Sequence, residues 1–216
     1  MSLESQLSSV LDDFKQNAPA DMMEAIGSAK AGFLASFDRS SAIKVGDILP
    51  GFRLSDAVGK EVTSADLLAQ GPLLITFYRG EWCPFCNFAV AALQKHLDEF
   101  KAKGVTLVAI SPELPNHSLT MAEKHALKFP VLSDVGNKFA RQLGIVFRQP
   151  DTMRPVFEKM GLDLKTRNGD DSLEVPIPAT LLVDQKGVVR NAFIEPDYVK
   201  RLEPSTALEW IDALQG

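Results

Sequence analysis

The chain has 216 residues, 45% hydrophobic and 24% charged, the make-up of one water-soluble globular domain or of one domain with an appendage. Its 23 basic side chains against 28 acidic ones leave a formal charge of -5 with no basic stripe, which argues against nucleic acid as a partner. No apolar run approaches the ~20 residues of a bilayer-spanning helix, and Glu4, Asp12, Asp13, Lys15, Asp21 and Glu24 interrupt the N-terminal stretch where a secretory leader would be apolar; the expectation is a cytoplasmic protein without membrane contact.

Residues 1 to about 40 predict helix, because Leu7, Val10, Leu11 and Phe14 recur at helical offsets and Met22, Met23, Ile26, Phe33 and Leu34 form a second apolar set. This segment, 1–43, is expected to be a helical extension, either packed on the rest of the chain or forming the contact of a homodimer. The Gly- and Pro-punctuated run Val45 to Leu54, with a turn at Val58-Gly59-Lys60, opens a second unit expected over 44–216. Leu73 to Tyr78 is a short, nearly unbroken apolar run rich in aromatic and branched residues and predicts a central strand buried on both faces.

A helix is expected from Pro84, whose ring suits a first helical position, with Phe88, Ala91, Ala92, Leu93, Leu97 and Phe100 as its apolar side as far as Gly104. Val105 to Ile110 then predicts a second strand, parallel to the first through a right-handed crossover. Pro115 to about Lys128 and Asn137 to Leu143 read as helices flanking an extended Pro130 to Ser133. Phe147 to Asp171 is irregular and long for a simple connection, so it is expected to be either a partly helical insertion or a functional loop. Ala179 to Asp184 and Val188 to Phe193, joined by Gln185-Lys186-Gly187, predict an antiparallel hairpin, and Ser205 to Leu214 a last helix. Together these predict an α/β fold, a three-layer sandwich of thioredoxin-like layout: a central mixed β-sheet flanked by helices, with the N-terminal helical extension added.

The chain has two cysteines, and both fall in one tetrapeptide, Cys83-Pro84-Phe85-Cys86, between the first buried strand and a helix. Two cysteines do not make a secreted disulfide scaffold, and His96, His117 and His125 lack the spacing of zinc ligands, so no metal and no cofactor is expected. Redox chemistry remains. Cys83, at the expected helix N-terminus, faces free backbone N–H groups that favour its thiolate, and Cys86 lies about one turn further in. In disulfide exchange Cys83 attacks and Cys86 resolves; peroxide chemistry could reverse the two roles, and either route ends in the same intramolecular disulfide. The helix-terminus argument favours Cys83 as the more reactive thiol.

The segment Phe77-Tyr78-Arg79-Gly80-Glu81-Trp82-Cys83-Pro84-Phe85-Cys86 resembles the active-site segment of the thioredoxin fold. The wider frame, from Gly46-Asp47 through Ile110-Ser111-Pro112, Asn168 to Asp171, Pro176 to Thr180, and Pro196-Asp197-Tyr198 with Arg201 and Glu203-Pro204, resembles the alkyl hydroperoxide reductase and thiol-specific antioxidant family, the peroxiredoxins, in a CxxC-bearing subgroup. On that frame Cys86 takes the peroxide-attacking place, Cys83 that of a Thr or Ser, Arg79 that of a Pro, and Pro178 that of the substrate-activating Arg. The resemblance implies an antioxidant oxidoreductase whose redox-active disulfide reduces hydroperoxides or disulfides with electrons from a thioredoxin- or glutathione-type thiol. It also implies a cis bond before Pro178 beside the dithiol. Trp82 is expected at the rim of the site, with Arg79 and Glu81 supplying charge or proton transfer. The missing Thr and Arg leave a second expectation open: a redox-sensing binding module in which the dithiol switches partners.

Overall fold

The computed structural model describes residues 1–216. The chain runs α1 (Leu3–Asn17), α2 (Ala20–Ser36), β1 (Arg53–Asp56), β2 (Glu61–Thr63), α3 (Ser64–Leu68), β3 (Leu73–Phe77), α4 (Pro84–Lys95), α5 (Leu97–Ala102) and β4 (Thr106–Ser111). It continues with α6 (Pro115–Lys124), β5 (Val131–Ser133), α7 (Lys138–Gln142), β6 (Val146–Arg148), α8 (Arg154–Lys159), α9 (Leu164–Asn168), β7 (Glu174–Pro176), β8 (Ala179–Val183), β9 (Val189–Ile194) and α10 (Pro204–Gln215).

Seven strands form one mixed sheet in the order β2-β1-β5-β4-β3-β8-β9. The expected crossover is present: β3 and β4 pair in parallel from Leu73 with Thr106 to Phe77 with Ile110. The expected hairpin is present too, with β8 antiparallel to β9 and to β3. Because side chains alternate across a strand, β3 supplies both faces. Leu73, Ile75 and Phe77 join Val108, Ile110, Leu132, Leu181 and Val183 in a core beneath Phe52 and Phe139, while Leu74 and Tyr78 join the core on the opposite face, which α4, α5 and α10 cover. The one hydroxyl pair inside β3 and β8, Thr76 with Thr180 at 3.3 Å, satisfies itself across the ladder.

Two details depart from the sequence reading. The expected single helix after Pro84 breaks at His96 into α4 and α5, and its buried side is Phe85, Cys86, Ala89, Val90 and Leu93, leaving Phe88 39% exposed. The sulfur of Cys86 thereby faces the core. The helix expected to reach Lys128 ends at Lys124, since Ala126 adopts a left-handed φ of 48° that stops helical propagation. The irregular stretch after Phe147 is short pieces of structure: β6 pairs with β7, and α8 and α9 pack with Met153 and Leu173 into a small apolar cluster of their own.

The N-terminal helices are fastened to the rest of the chain. Leu3 and Leu7 are buried in the same core as Leu93, Phe100 and Ile211. The carboxylate of Glu203 accepts from the backbone N–H groups of Leu3 (3.1 Å) and Glu4 (2.7 Å), so a residue from the far end of the sequence caps α1 and compensates the positive end of its dipole. Met22 of α2 buries against the Met153 and Phe157 cluster. Truncating Leu7 to Ala removes a buried side chain that a surface-lying appendage would not miss. Leu7→Ala is expected to lower the unfolding free energy by about 2–4 kcal/mol in denaturant titration, and a loss under about 0.5 kcal/mol would show that α1 is not docked.

Candidate active site

Strand β3 ends at Phe77, and the next nine residues carry most of the site. Tyr78 still pairs its N–H with Ile110 O, but Gly80 then adopts φ +149°, and a Cβ there would sit 2.4 Å from Trp82 Nε1 and 2.9 Å from Glu113 Cδ. Glycine is therefore required for the chain to turn under the Trp82 ring. The turn delivers Cys83 to the N-cap of α4, with Pro84 at the first helical position, where no N–H is missed. Cys83 Sγ accepts from the backbone N–H of Cys86 at 3.4 Å, so the sulfur occupies the place of a capping oxygen.

Both cysteines are reduced and fully buried. Arg79 donates through Nη2 to Cys83 Sγ at 3.2 Å, and Arg201 donates through Nη2 to Cys86 Sγ at 3.4 Å. Arg79 is only 5% exposed; its guanidinium lies 4.0 Å from the ring centroid of Tyr198 and 5.0 Å from that of Trp82, held between two aromatic faces. Arg201 is anchored through Nη1 to the backbone oxygens of Tyr198 and of Lys200 (2.8 Å). Neither guanidinium is paired with a carboxylate among the ion pairs of the chain. Arg79 is buried, a buried cation without an anion costs several kcal/mol, and the sulfurs are the groups beside it that can carry the compensating charge.

The two thiols divide that charge unequally. Burial alone would raise Cys86, but the hydrogen bond from Cys83, the guanidiniums of Arg201 and Arg79 and the backbone N–H of Arg79 outweigh it and hold the Cys86 thiol well below the usual range. Burial pushes the Cys83 thiol well above its usual range, and its bond to Cys86 adds to this more than Arg79 takes away. One proton and one negative charge are thus shared by the pair. This runs against the helix-terminus expectation, which placed the more reactive thiolate at Cys83. The N-cap amide does reach Cys83, but Cys86 collects the S–H donor and a second guanidinium that no short motif announces.

The remaining candidate residues separate. Trp82 packs edge-on against Phe157, with ring centroids 6.0 Å apart, and its face meets Arg79. Pro84 is exposed at the start of α4. Glu81 is turned away from the sulfurs by the Gly80 turn: its carboxylate pairs with Lys124 at 2.5 Å and Arg167 at 3.4 Å, and its N–H donates to Glu113 Oε2 at 2.8 Å. Those cations lower its pKa against the effect of burial, so Glu81 is a fixed anion bracing the turn instead of a proton carrier beside the thiols. Pro178 lies one step beyond the Phe77–Ala179 pair, next to Tyr78, but every peptide bond in the chain is trans, which corrects the expected cis bond. The sequence reading missed Arg201 as a site residue, and likewise Tyr198 and the fully buried Glu113. The Pro196 to Arg201 motif was visible, and nothing local said that it folds back over α4.

Substituting Arg201 by Met removes one cation from Cys86 while leaving a side chain of similar length. The Cys86 profile for alkylation by iodoacetamide should move to higher pH, and the rate at a slightly acidic pH should fall by about tenfold, read by peptide mass spectrometry. An unchanged profile would show that Arg201 does not hold the thiolate.

Comparison with known proteins places this geometry. The AhpC/TSA family profile matches residues 45–192. Peroxiredoxin Bcp of Escherichia coli strain K12 is 35% identical over 103 residues, 48% of this chain and 65% of that protein, and a chloroplastic peroxiredoxin Q of Gentiana triflora is 30% identical over 103 residues, 48% of this chain and 47% of that one. The aligned part therefore spans less than two thirds of these relatives. Among solved structures, the peroxidoxin BcpB of Mycobacterium tuberculosis superposes with a TM-score of 0.64 at 21% identity, covering 81% of this chain and 99% of that one. The reduced 2-Cys peroxiredoxin of Plasmodium vivax gives 0.62 at 20% identity, over 80% and 82%. These two show the fold.

Proposed function

Since the chain belongs to the AhpC/TSA family, we propose that it is a thiol-dependent peroxidase in which Cys86 attacks a hydroperoxide and Cys83 resolves the oxidised sulfur. The observation that carries this reading is the guanidinium of Arg201 at 3.4 Å from Cys86 Sγ. It supplies, from the loop before α10, the cation that the family frame would have drawn from the position of Pro178. The Cys83 thiol, one helical turn before Cys86 and lowering its pKa, stands in for the hydroxyl of the expected Thr.

The chemistry balances within the pair. The Cys86 thiolate attacks the distal oxygen of ROOH; an S–O bond forms, the O–O bond breaks, and the alkoxide leaves with the proton held by Cys83 as ROH. The Cys83 thiolate so produced attacks the sulfenic sulfur of Cys86, expelling hydroxide, and the intramolecular disulfide remains. A thioredoxin- or glutathione-type thiol returns the two electrons. Donor thiols of this kind are maintained in a reducing compartment, and we place the chain in the cytoplasm on that ground. No helix is long and apolar enough to cross a membrane.

With hydrogen peroxide and a dithiol donor, Cys86→Ser is expected to abolish turnover, a loss of about a thousandfold or more. Cys83→Ser should still form one sulfenic acid, trapped at Cys86 by dimedone, while losing the disulfide. Sulfenic acid trapped at Cys83 in Cys86→Ser, with none at Cys86 in Cys83→Ser, would reverse the assignment; no peroxide turnover by the wild type would remove the peroxidase reading.

A further inference from the structure

Between Gly80 and α4 one residue is held on every side. The N–H of Glu81 donates to Glu113 Oε2 at 2.8 Å, its C=O accepts from Asn87 Nδ2 at 2.8 Å, and its carboxylate is paired by Lys124 and Arg167. Asn87 is the residue after Cys86, so the bond from its side chain to Glu81 O reaches back 6 positions and closes a ring around Trp82, Cys83, Pro84, Phe85 and Cys86. The backbone bonds of an α-helix join residues four apart, so this bond is no part of the helical ladder. Within the ring the ladder supplies little: the N–H groups of Cys86 and Asn87 both donate to Cys83 O, at 3.0 and 3.1 Å.

The amide of Asn87 is itself oriented. Nδ2 is committed to Glu81 O, so Oδ1 is the acceptor, and His125 Nε2 meets it at 3.2 Å. That bond requires a hydrogen on Nε2, which the neutral Nε2–H tautomer and the imidazolium both carry, so it does not depend on the charge of His125. His125 follows Lys124 at the end of α6, where the left-handed Ala126 stops the helix. One helix end therefore supplies both a cation for the Glu81 side chain and the donor that fixes Asn87.

We propose that Asn87 is a positioning residue: its hold on Glu81 O keeps Cys83 in register with Cys86 and sets the rate at which the disulfide closes, with His125 acting through it. The inference rests on the peroxidase reading above for the order of the steps and adds to it two residues that touch neither sulfur. Closure is the step most sensitive to register. The Cys83 thiolate has to approach in line with the sulfur–oxygen bond of the Cys86 sulfenic acid; the S–S bond forms, the S–O bond breaks and hydroxide leaves. Helix ends fray first, and Cys83 is the N-cap of α4, whereas Cys86 lies inside the helix and keeps Arg201. Losing the Asn87 bond therefore frees the resolving sulfur and leaves the attacking one in place.

Asn87→Leu keeps the volume and removes the amide. After stoichiometric hydrogen peroxide, disulfide closure followed by rapid acid quench and peptide mass spectrometry should slow by about tenfold in this variant, while formation of the Cys86 sulfenic acid should change by less than about threefold. A general loosening of the site would slow both steps together. His125→Ala should slow closure by about threefold on its own and add nothing in the Asn87→Leu background, because its path runs through the amide. Diamide closes the same dithiol without peroxide: the Cys86 thiolate adds to its N=N bond, Cys83 displaces the hydrazine, and the pair loses two electrons to the reagent. Closure by diamide should show the same slowing. A wild type that forms no sulfenic acid, together with slowed diamide closure in Asn87→Leu, overturns the peroxidase reading and supports the positioning role. Diamide closure in Asn87→Leu within about twofold of the wild-type rate overturns the positioning role and leaves the peroxidase reading standing. An equal effect of His125→Ala in both backgrounds overturns its action through Asn87. If Asn87→Leu does not fold, His125→Ala alone decides, and closure at the wild-type rate overturns the proposal.

Discussion

Two guanidinium groups and two buried sulfurs, one of the guanidiniums held between aromatic rings, set the terms for the rest of this molecule. Arg79 is nearly sealed from water, and its partners are Cys83 Sγ and the faces of Tyr198 and Trp82; Arg201 reaches Cys86 Sγ from the opposite end of the chain. Charge in such a place is tolerated only when it is matched, and the match available is a thiolate. The reduced pair is therefore held as one thiolate and one thiol. Oxidation to the disulfide takes that negative charge away and leaves two cations facing each other's site, so the reduced state is the better-compensated one. Stabilising the reduced form is the condition that makes a dithiol oxidising.

The fold is arranged to hold this constellation still. The buried strand β3 fixes where Tyr78 and Arg79 emerge, Gly80 permits the close turn, and Pro84 starts α4 so that Cys83 caps it and Cys86 faces inward. The turn is clamped from behind by an ion cluster in which Glu113, wholly buried, accepts from Glu81 N–H and from Arg167 at 3.0 Å, while Glu81 takes Lys124. That cluster carries charge close to the dithiol without touching it. The Glu203 cap draws α1 onto the same core as α10, so that the helical extension and the loop bearing Arg201 are tied to one another.

Much of this was legible in the chain. The unbroken apolar run of β3, the Cys83-Cys86 spacing and Pro84 after Cys83 are local signals, and local signals identify a strand, a helix start and a dithiol. The hairpin of β8 and β9 followed from its turn in the same way. What was not legible depends on residues far apart in sequence. Arg201 lies 115 positions from Cys86, and its approach to the sulfur depends on how the loop after β9 folds over α4. Local reasoning saw only the amides at the helix start and so gave the thiolate to Cys83. Glu81 was misread for a related reason: its neighbours in sequence are the active-site residues, but its partners in space, Lys124 and Arg167, belong to α6 and α9.

The central claim is that the reduced pair carries a single negative charge, shared between two buried sulfurs and compensated by Arg79 and Arg201. Ultraviolet thiolate absorbance of the reduced protein, followed across the pH range against the Cys83→Ser, Cys86→Ser double variant, measures that charge directly. The account predicts one thiolate per chain already present at neutral pH, with the second appearing only far above the ordinary thiol range. Two thiols ionising together in a single step near the ordinary value would contradict it.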